Sequence, residues 1–542
     1  MKTRLVVAAT AVLFHLAAAS HTMDAPSAGD PTATVGVVAF ANSGAPGAQA
    51  HFLHGLAQLH NFQYPDAAAA FRRAQEADPG FALAYWGEAM TYNHPVWMQQ
   101  DASAARAVLV RLAPDRARRL AKATTDRERA YLEAVEILYG DGSKFERDRL
   151  YAEAMQRLHE RWPDDVDATA FYALALLGTA HAGRDVSTYM KSYALLEEPF
   201  RQYPQHPGVT HYLIHSVDDA AHAPLGLKAA RAYGKIAPES GHALHMTSHI
   251  YLALGMWDEV VAANESALAL GARRAAQRGV QPAGCGHGQI WLSYGYLQQG
   301  RHSDAKRMVA QCLAEVRDHG QFSESDQFEA EGSSVGTFYA MRLAYLLDAP
   351  PDAEVLGWTP DPGRVPYAAF LRDYGSAILA TRRGAAGEFG ANATQAAASA
   401  ERLRAEMDRL EVEPDSPYRR VLAIEVGQLD GARRLFAGNR AAGLSMLEAV
   451  AREEDALPAA FGPPQVDAPT HELLGTLLAP SEAAKAQRQF ERALVLNPGR
   501  VAARRGLMQA QRKLGNTAGA DAIEADLNKT LRHADVQAAG LH

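Results

Sequence analysis

Eight of the chain's 21 histidines fall between His206 and His287, where even placement would put about three. His211 and His215 are four residues apart, as are His245 and His249, with His242 three residues ahead of the second pair. On a helix turning 100° per residue, His211, His215 and Asp218 share an arc of about 60°, and so do His242, His245 and His249. Neutral imidazoles converging with a carboxylate are what a transition metal needs. Zinc takes histidine nitrogen at about 2.0–2.1 Å, and H-x-x-x-H sets two ligands on one side of a helix. No thiolate is required, so Zn(II), Cu(II) and non-haem Fe(II) stay open, two histidines and one aspartate suiting the last. The same side chains could instead hydrogen-bond helix ends or line a polar peptide groove. A lone H-x-x-x-H says little; two of them in neighbouring segments, with His287 behind, say more. His211, His215, His242, His245, His249 and His287, with Asp218 or Asp219, are therefore the candidate ligands. Seven ligands exceed the four of a closed site, which implies two ions or an outer layer of histidines orienting an inner one.

The elements that position them are helices. No segment alternates with period two for long; helical spacing dominates, with small residues inside and Gly, Asp-Pro or Asn-Pro at the ends. Within Ala48–Phe81, Gly55, Ala67, Phe71, Ala74 and Pro79 stand at positions 8, 20, 24, 27 and 32 of a 34-residue unit. This resembles a tetratricopeptide repeat. Matching units start near Gly241 and Gly286, and another carries Ala486, Phe490, Ala493 and Pro498. The fold expected is all-α, a right-handed superhelical solenoid of such hairpins. Counted in units, His211, His215, Asp218 and Asp219 take positions 5, 9, 12 and 13; His242, His245 and His249 take 2, 5 and 9; His287 and Tyr294 take 2 and 9. The resemblance implies that these positions line the concave groove. Trp86, Asn93 and His94 also fall on groove positions and, with Tyr294, would line a small-molecule or peptide site. Trp86 capping a hydrophobic core is the equal alternative.

The segment from His211 to Asn264 also resembles a family of uncharacterised exported bacterial tetratricopeptide proteins marked by H-Y-x-I-H, then H-A-x-H-M-P-S-H-I, then a histidine opening the next repeat. All six histidines match; Thr247 departs, standing where the family has proline. The resemblance supplies a fold and a motif and no reaction.

Lys2 and Arg4, the apolar run Leu5 to Leu16, and Ala17-Ala18-Ala19-Ser20 read as a cleaved signal peptide over residues 1–20, so a periplasmic or secreted protein is expected. No apolar stretch of the mature chain is long enough to span a membrane. Residues 21–40 read as a flexible leader, 41–320 as an N-terminal solenoid, 321–420 as an irregular helical region with a Pro/Gly linker, and 421–535 as C-terminal repeats. A net charge of −8, with no basic stripe, argues against nucleic acid. The two cysteines, Cys285 and Cys312, lie at neighbouring ends of one hairpin and are expected to pair. His471-Glu472 is no zincin motif, because Gly475 replaces the second histidine. Two classes of function remain: a metal protein, with a reaction following if a coordination position stays open, and a metal-free scaffold binding partner peptides.

Overall fold

The computed structural model describes residues 34–318, 333–410 and 412–535; the expected signal peptide lies outside them. Through the described residues run 25 α-helices and one pair of two-residue strands, Asn93–His94 against Gln99–Gln100. Successive helices pack on one another as hairpins, so the chain is an all-α, tetratricopeptide-like solenoid. The repeat works through close approach at its small positions. A Cβ added at Gly55 would stand 3.0 Å from the Phe71 ring, and one at Gly87 would stand 2.4 Å from it. Phe71 is thus seated between two helices that only glycine lets so near. Phe490 sits likewise between Gly475 and Gly506. Burying each such ring stabilises the array by about 1.5–3 kcal/mol.

The helices that matter here are Pro46–His60, Pro207–Val217, Gly241–Ala253 and His287–Gln298. Each of the middle two starts on a side-chain cap: His206 Nδ1 accepts from the Val209 N–H and Ser240 accepts from Ala243. Such caps satisfy the first turn's orphan N–H groups. The Pro46–His60 helix also packs on Pro207–Val217, so distant repeats meet. One core runs from Phe40 to Tyr294, and a second runs from Val261 to Leu474. The cores meet along Trp257–Gln277 and His287–Gln298, well before the expected break at 320.

Two expectations change. The described end of the leader is docked: Val35 and Phe40 are buried, and the Val37 N–H donates to the Gln205 carbonyl at 2.9 Å. The apolar side chains of Val35 and Phe40 seat it. The described part of 321–420 carries long regular helices, Pro366–Arg382 and Ala386–Arg409 forming a hairpin, while the Pro/Gly run before them is largely non-helical apart from the short helix Ala353–Leu356. Ala393, Ala396 and Ala400 give that hairpin its close-packed seam. Cys285 and Cys312 are bonded, their Cα atoms 4.7 Å apart, which ties the start of one helix to the end of the next. Among the described residues no helix is long and apolar enough to cross a membrane.

Candidate metal centre

The six histidines come together. Ring centroids follow one another around a loop, His211–His242 at 4.9 Å, His242–His245 at 6.2 Å, His245–His249 at 5.1 Å, His249–His215 at 5.4 Å and His215–His211 at 4.8 Å, with His287 4.7 Å from His245. None of the six is more than 8% exposed. The open groove expected from the repeat register is therefore closed at this point. Phe62 lies edge-on to His211 at 4.3 Å, Trp291 stacks on His249 at 4.4 Å, and Phe461 stacks on its other neighbour side at 4.9 Å. Phe62 arrives from the turn after Pro46–His60 and holds a left-handed backbone with φ +56°, an uncommon place for an aromatic residue. Phe461 returns from the C-terminal half of the chain.

Hydrogen bonds settle where the protons sit on four rings. His211 Nδ1 donates to the His60 carbonyl at 2.7 Å. His245 Nδ1 donates to Asn264 Oδ1 at 2.7 Å, and Asn264 Nδ2 is oriented by its own bond to the Val260 carbonyl. His215 and His249 both donate Nδ1–H to one oxygen, Asp218 Oδ2, at 3.2 and 2.9 Å. A neutral imidazole with Nδ1–H carries its lone pair on Nε2. Those Nε2 atoms turn inward: His242 Nε2 stands 3.1 Å from His211 Nε2, and His245 Nε2 stands 3.2 Å from His249 Nε2 and 2.9 Å from His287 Nε2. His215 Nε2 is buried without a hydrogen-bond partner.

Charging His211, His242, His245 and His249 is opposed from several sides. Burial, then the neighbouring imidazoles, hold His211, His242 and His245 well below the usual histidine range. Burial takes His249 down to about 4 against the pull of Asp218. Burial alone would raise the Asp218 carboxyl; Arg184 and the two imidazole N–H groups outweigh it and hold it well below the carboxylate range. Arg184 bonds Asp218 Oδ1 and reaches Asp219 Oδ2 at 3.1 Å. Asp219 accepts from Arg184 and from His222 Nδ1 at 2.8 Å, which places Asp219 and His222 outside the ring.

The other candidates do not share this place. Trp86 is in the hydrophobic core, edge-on to Tyr131 and Phe171, so it packs rather than lining a ligand site. Asn93 accepts from Gln100 Nε2 at 2.9 Å across the strand pair. His94 stacks on Tyr64 at 4.0 Å and donates to the Thr91 carbonyl, and burial lowers it to about 4. Tyr294 accepts from Arg500 at 3.3 Å, within a buried cluster completed by Asp348 and Glu472. The sequence reading missed His60, Phe62, Asn264, Arg184, Trp291 and Phe461. Of these, Phe461 alone stands beside a local sequence signal, the run Phe461-Gly462-Pro463-Pro464 that interrupts the helical pattern.

No family model matches the chain, and no curated protein does. Among solved structures it is similar to the anaphase-promoting complex Cut9–Hcn1 heterotetramer, at 12% identity, TM-score 0.36, covering 87% of this chain and 78% of that one. It is also similar to the human IFIT1 dimer with m7Gppp-AAAA, at 11% identity and TM-score 0.35 over 91% of each chain. Yeast Tom70 follows at 13% identity and TM-score 0.28, over 91% of this chain and 93% of that one. Similarity at this level says nothing of what this chain binds.

Proposed function

We propose that this is an exported metalloprotein whose six buried histidines hold a divalent transition-metal centre. One observation carries the reading. His245 and His249 are both fixed as Nδ1–H tautomers, so two lone pairs face each other across 3.2 Å of buried space with no proton between them. A polar arrangement of that kind is unfavourable until a cation enters it. The outward bonds to Asn264, Asp218 and the His60 carbonyl are those a metal-binding histidine makes with its second nitrogen. Asp218 faces the Nδ1 edges, so it belongs to that outer layer, and the inner ligands are imidazole alone. Such a set suits zinc or copper better than the two-histidine, one-carboxylate arrangement of non-haem iron. Where an ion has three imidazole ligands, its fourth position can take water and lower its pKa to about 7. That is the basis for any metal-dependent hydrolysis or oxidation.

Tag-free protein purified without chelator should carry metal by elemental analysis. Adding Zn(II), Cu(II) or Fe(II) to the stripped chain should raise its melting temperature, by about 2.7 kcal/mol of stability at one hundred times the dissociation constant. His245→Ala should remove that rise. If no metal is carried, and wild type and His245→Ala melt alike with every ion, the metal reading is wrong and the metal-free scaffold replaces it. Export rests on the residue 1–20 pattern, and mass spectrometry of the exported chain should find it starting at Ser20 or just after.

A further inference from the structure

We infer that the six imidazoles hold two ions, three ligands apiece, with Asp218 as the positioning residue common to both. The inference rests on the metal reading above and goes beyond it in number, assignment and coupling.

The repeat itself duplicates the site. His211 and His215 occupy positions 5 and 9 of one unit and are joined by His242 at position 2 of the next. His245 and His249 occupy positions 5 and 9 of that next unit and are joined by His287 at position 2 of the one after. The second triad is the first moved along the solenoid by one hairpin. The series stops on both sides: Gly208 holds position 2 before the first triad, and Ile290 and Tyr294 hold positions 5 and 9 after the second. Two sites are therefore built, and the register provides for no third.

Distances agree. Six ligands on one ion at 2.0–2.1 Å would all lie within about 4.2 Å of one another. No group of ligand atoms within 4.8 Å of one another takes in all six; His211, His215 and His242 form one such group and His245, His249 and His287 another, while His215 and His249 share a third with Asp218, the carboxylate that accepts both their Nδ1–H groups. Tetrahedral ligands at zinc-like bond lengths stand about 3.3 Å apart, and the Nε2 pairs inside the triads are 3.1, 3.2 and 2.9 Å apart. Across the triads the rings of His215 and His249 are 5.4 Å apart, so the two ions are neighbours. With three imidazole ligands each, either ion would keep an open position for a small oxygen donor such as water or hydroxide.

Asp218 joins the triads from behind. Its Oδ2 accepts one N–H from His215, in the first, and one from His249, in the second. Asn264 touches the second triad only, through His245, and the His60 carbonyl touches the first only, through His211. Removing an outer partner of this kind lowers metal affinity about 10–100-fold.

The test is a Cu(II) titration of the full tag-free chain, with copper counted by elemental analysis and spins counted by electron paramagnetic resonance. Wild type should take two ions per chain and show fewer uncoupled spins than copper. His211→Ala and His287→Ala should each take one, with the ordinary spectrum of isolated Cu(II). Asn264→Ala should weaken one binding step and Asp218→Asn both, each about 10–100-fold. Asp218→Glu, which keeps the charge facing Arg184, should recover at least part of both steps and stands in if the asparagine variant fails to fold. One ion in wild type, or loss of all copper from both His211→Ala and His287→Ala, overturns the two-ion inference and leaves the metal reading standing. Two ions with Asp218→Asn weakening one step alone overturns the shared role. No copper in wild type removes the metal reading itself.

Discussion

His60 and His206, on either side of Asp167, are as buried as the six histidines of the centre, and their ligand atoms are also within 4.8 Å of one another. Their hydrogen bonds nevertheless close. His206 Nδ1 accepts from the Val209 N–H, which leaves Nε2–H to donate to Asp167 Oδ1 at 3.2 Å. His60 Nε2–H donates to the same oxygen at 2.9 Å, and its Nδ1 accepts from the Tyr212 hydroxyl at 3.0 Å. Each ring uses one N–H and one lone pair, so no imidazole lone pair is left over for an ion, and the one unpartnered buried atom of the cluster is Asp167 Oδ2. In the six-histidine loop the N–H groups all point outward where they are fixed, and the lone pairs meet. Closeness of donor atoms does not separate the two clusters; the direction of the protons does.

Substitution should separate them most sharply. Asp167→Ala leaves two buried N–H donors without acceptors, at about 1–3 kcal/mol each, and should destabilise the stripped chain by about 2–6 kcal/mol while leaving its metal content alone. His245→Ala should do the reverse, abolishing the metal-dependent rise in melting temperature with a smaller change in the stripped chain. Paired melts with and without metal check both. If Asp167→Ala also empties the centre, the clusters are not independent.

Reduction of Cys285–Cys312 bears on the centre from one side. The bridge closes a segment of 27 residues, for which chain entropy gives a stabilisation of about 3–4 kcal/mol. Reductant should lower the melting temperature accordingly. Because Cys285 is two residues ahead of His287, the triad containing His287 should weaken and the other hold, which a metal titration under reducing conditions would resolve.

Acid should have the smallest effect per group. Burial brings His60 and His94 down to about 4 from an ordinary value of 6.5. Between those values the unfolded chain binds protons that the folded chain refuses. Stability from these groups is therefore complete above about pH 6.5 and falls as pH drops towards 4, by about 2 kcal/mol per histidine between pH 7 and 5. Chemical denaturation of the stripped chain at several pH values measures it, and a flat profile over that range would contradict the buried neutral state.

Much of this was legible in the sequence, because helix register is local. The two H-x-x-x-H pairs, their place in adjacent hairpins, and the Gly55–Phe71 contact all follow from spacing within one or two helices. What closes the site is not local. His60 reaches His211 across 151 residues, and Phe461 comes from the other half of the chain; periodicity names the apolar face of a helix without naming the helix that covers it. Asp218 was placed on the correct arc, but it stands at the C-cap of Pro207–Val217 with φ −81° and ψ 43°. The chain turns there and presents its carboxylate to the Nδ1 edges. Trp86 holds a groove position in the repeat register, yet Phe40 from the docked leader end stacks against it, which makes it core.

If the inward-facing lone pairs on His245 and His249 receive a cation, the ring nitrogens themselves report it. Nitrogen-15 spectra of histidine-labelled, tag-free protein, recorded stripped and then loaded with Zn(II), distinguish Nδ1–H from Nε2–H tautomers and show which nitrogen meets the metal. His211, His215, His245 and His249 should be Nδ1–H in both states, and on loading their Nε2 signals, not their Nδ1 signals, should move to metal-bound positions, together with one nitrogen each of His242 and His287. Nε2–H tautomers at His245 or His249 in the stripped chain, with no nitrogen moving when Zn(II) is added, would contradict it.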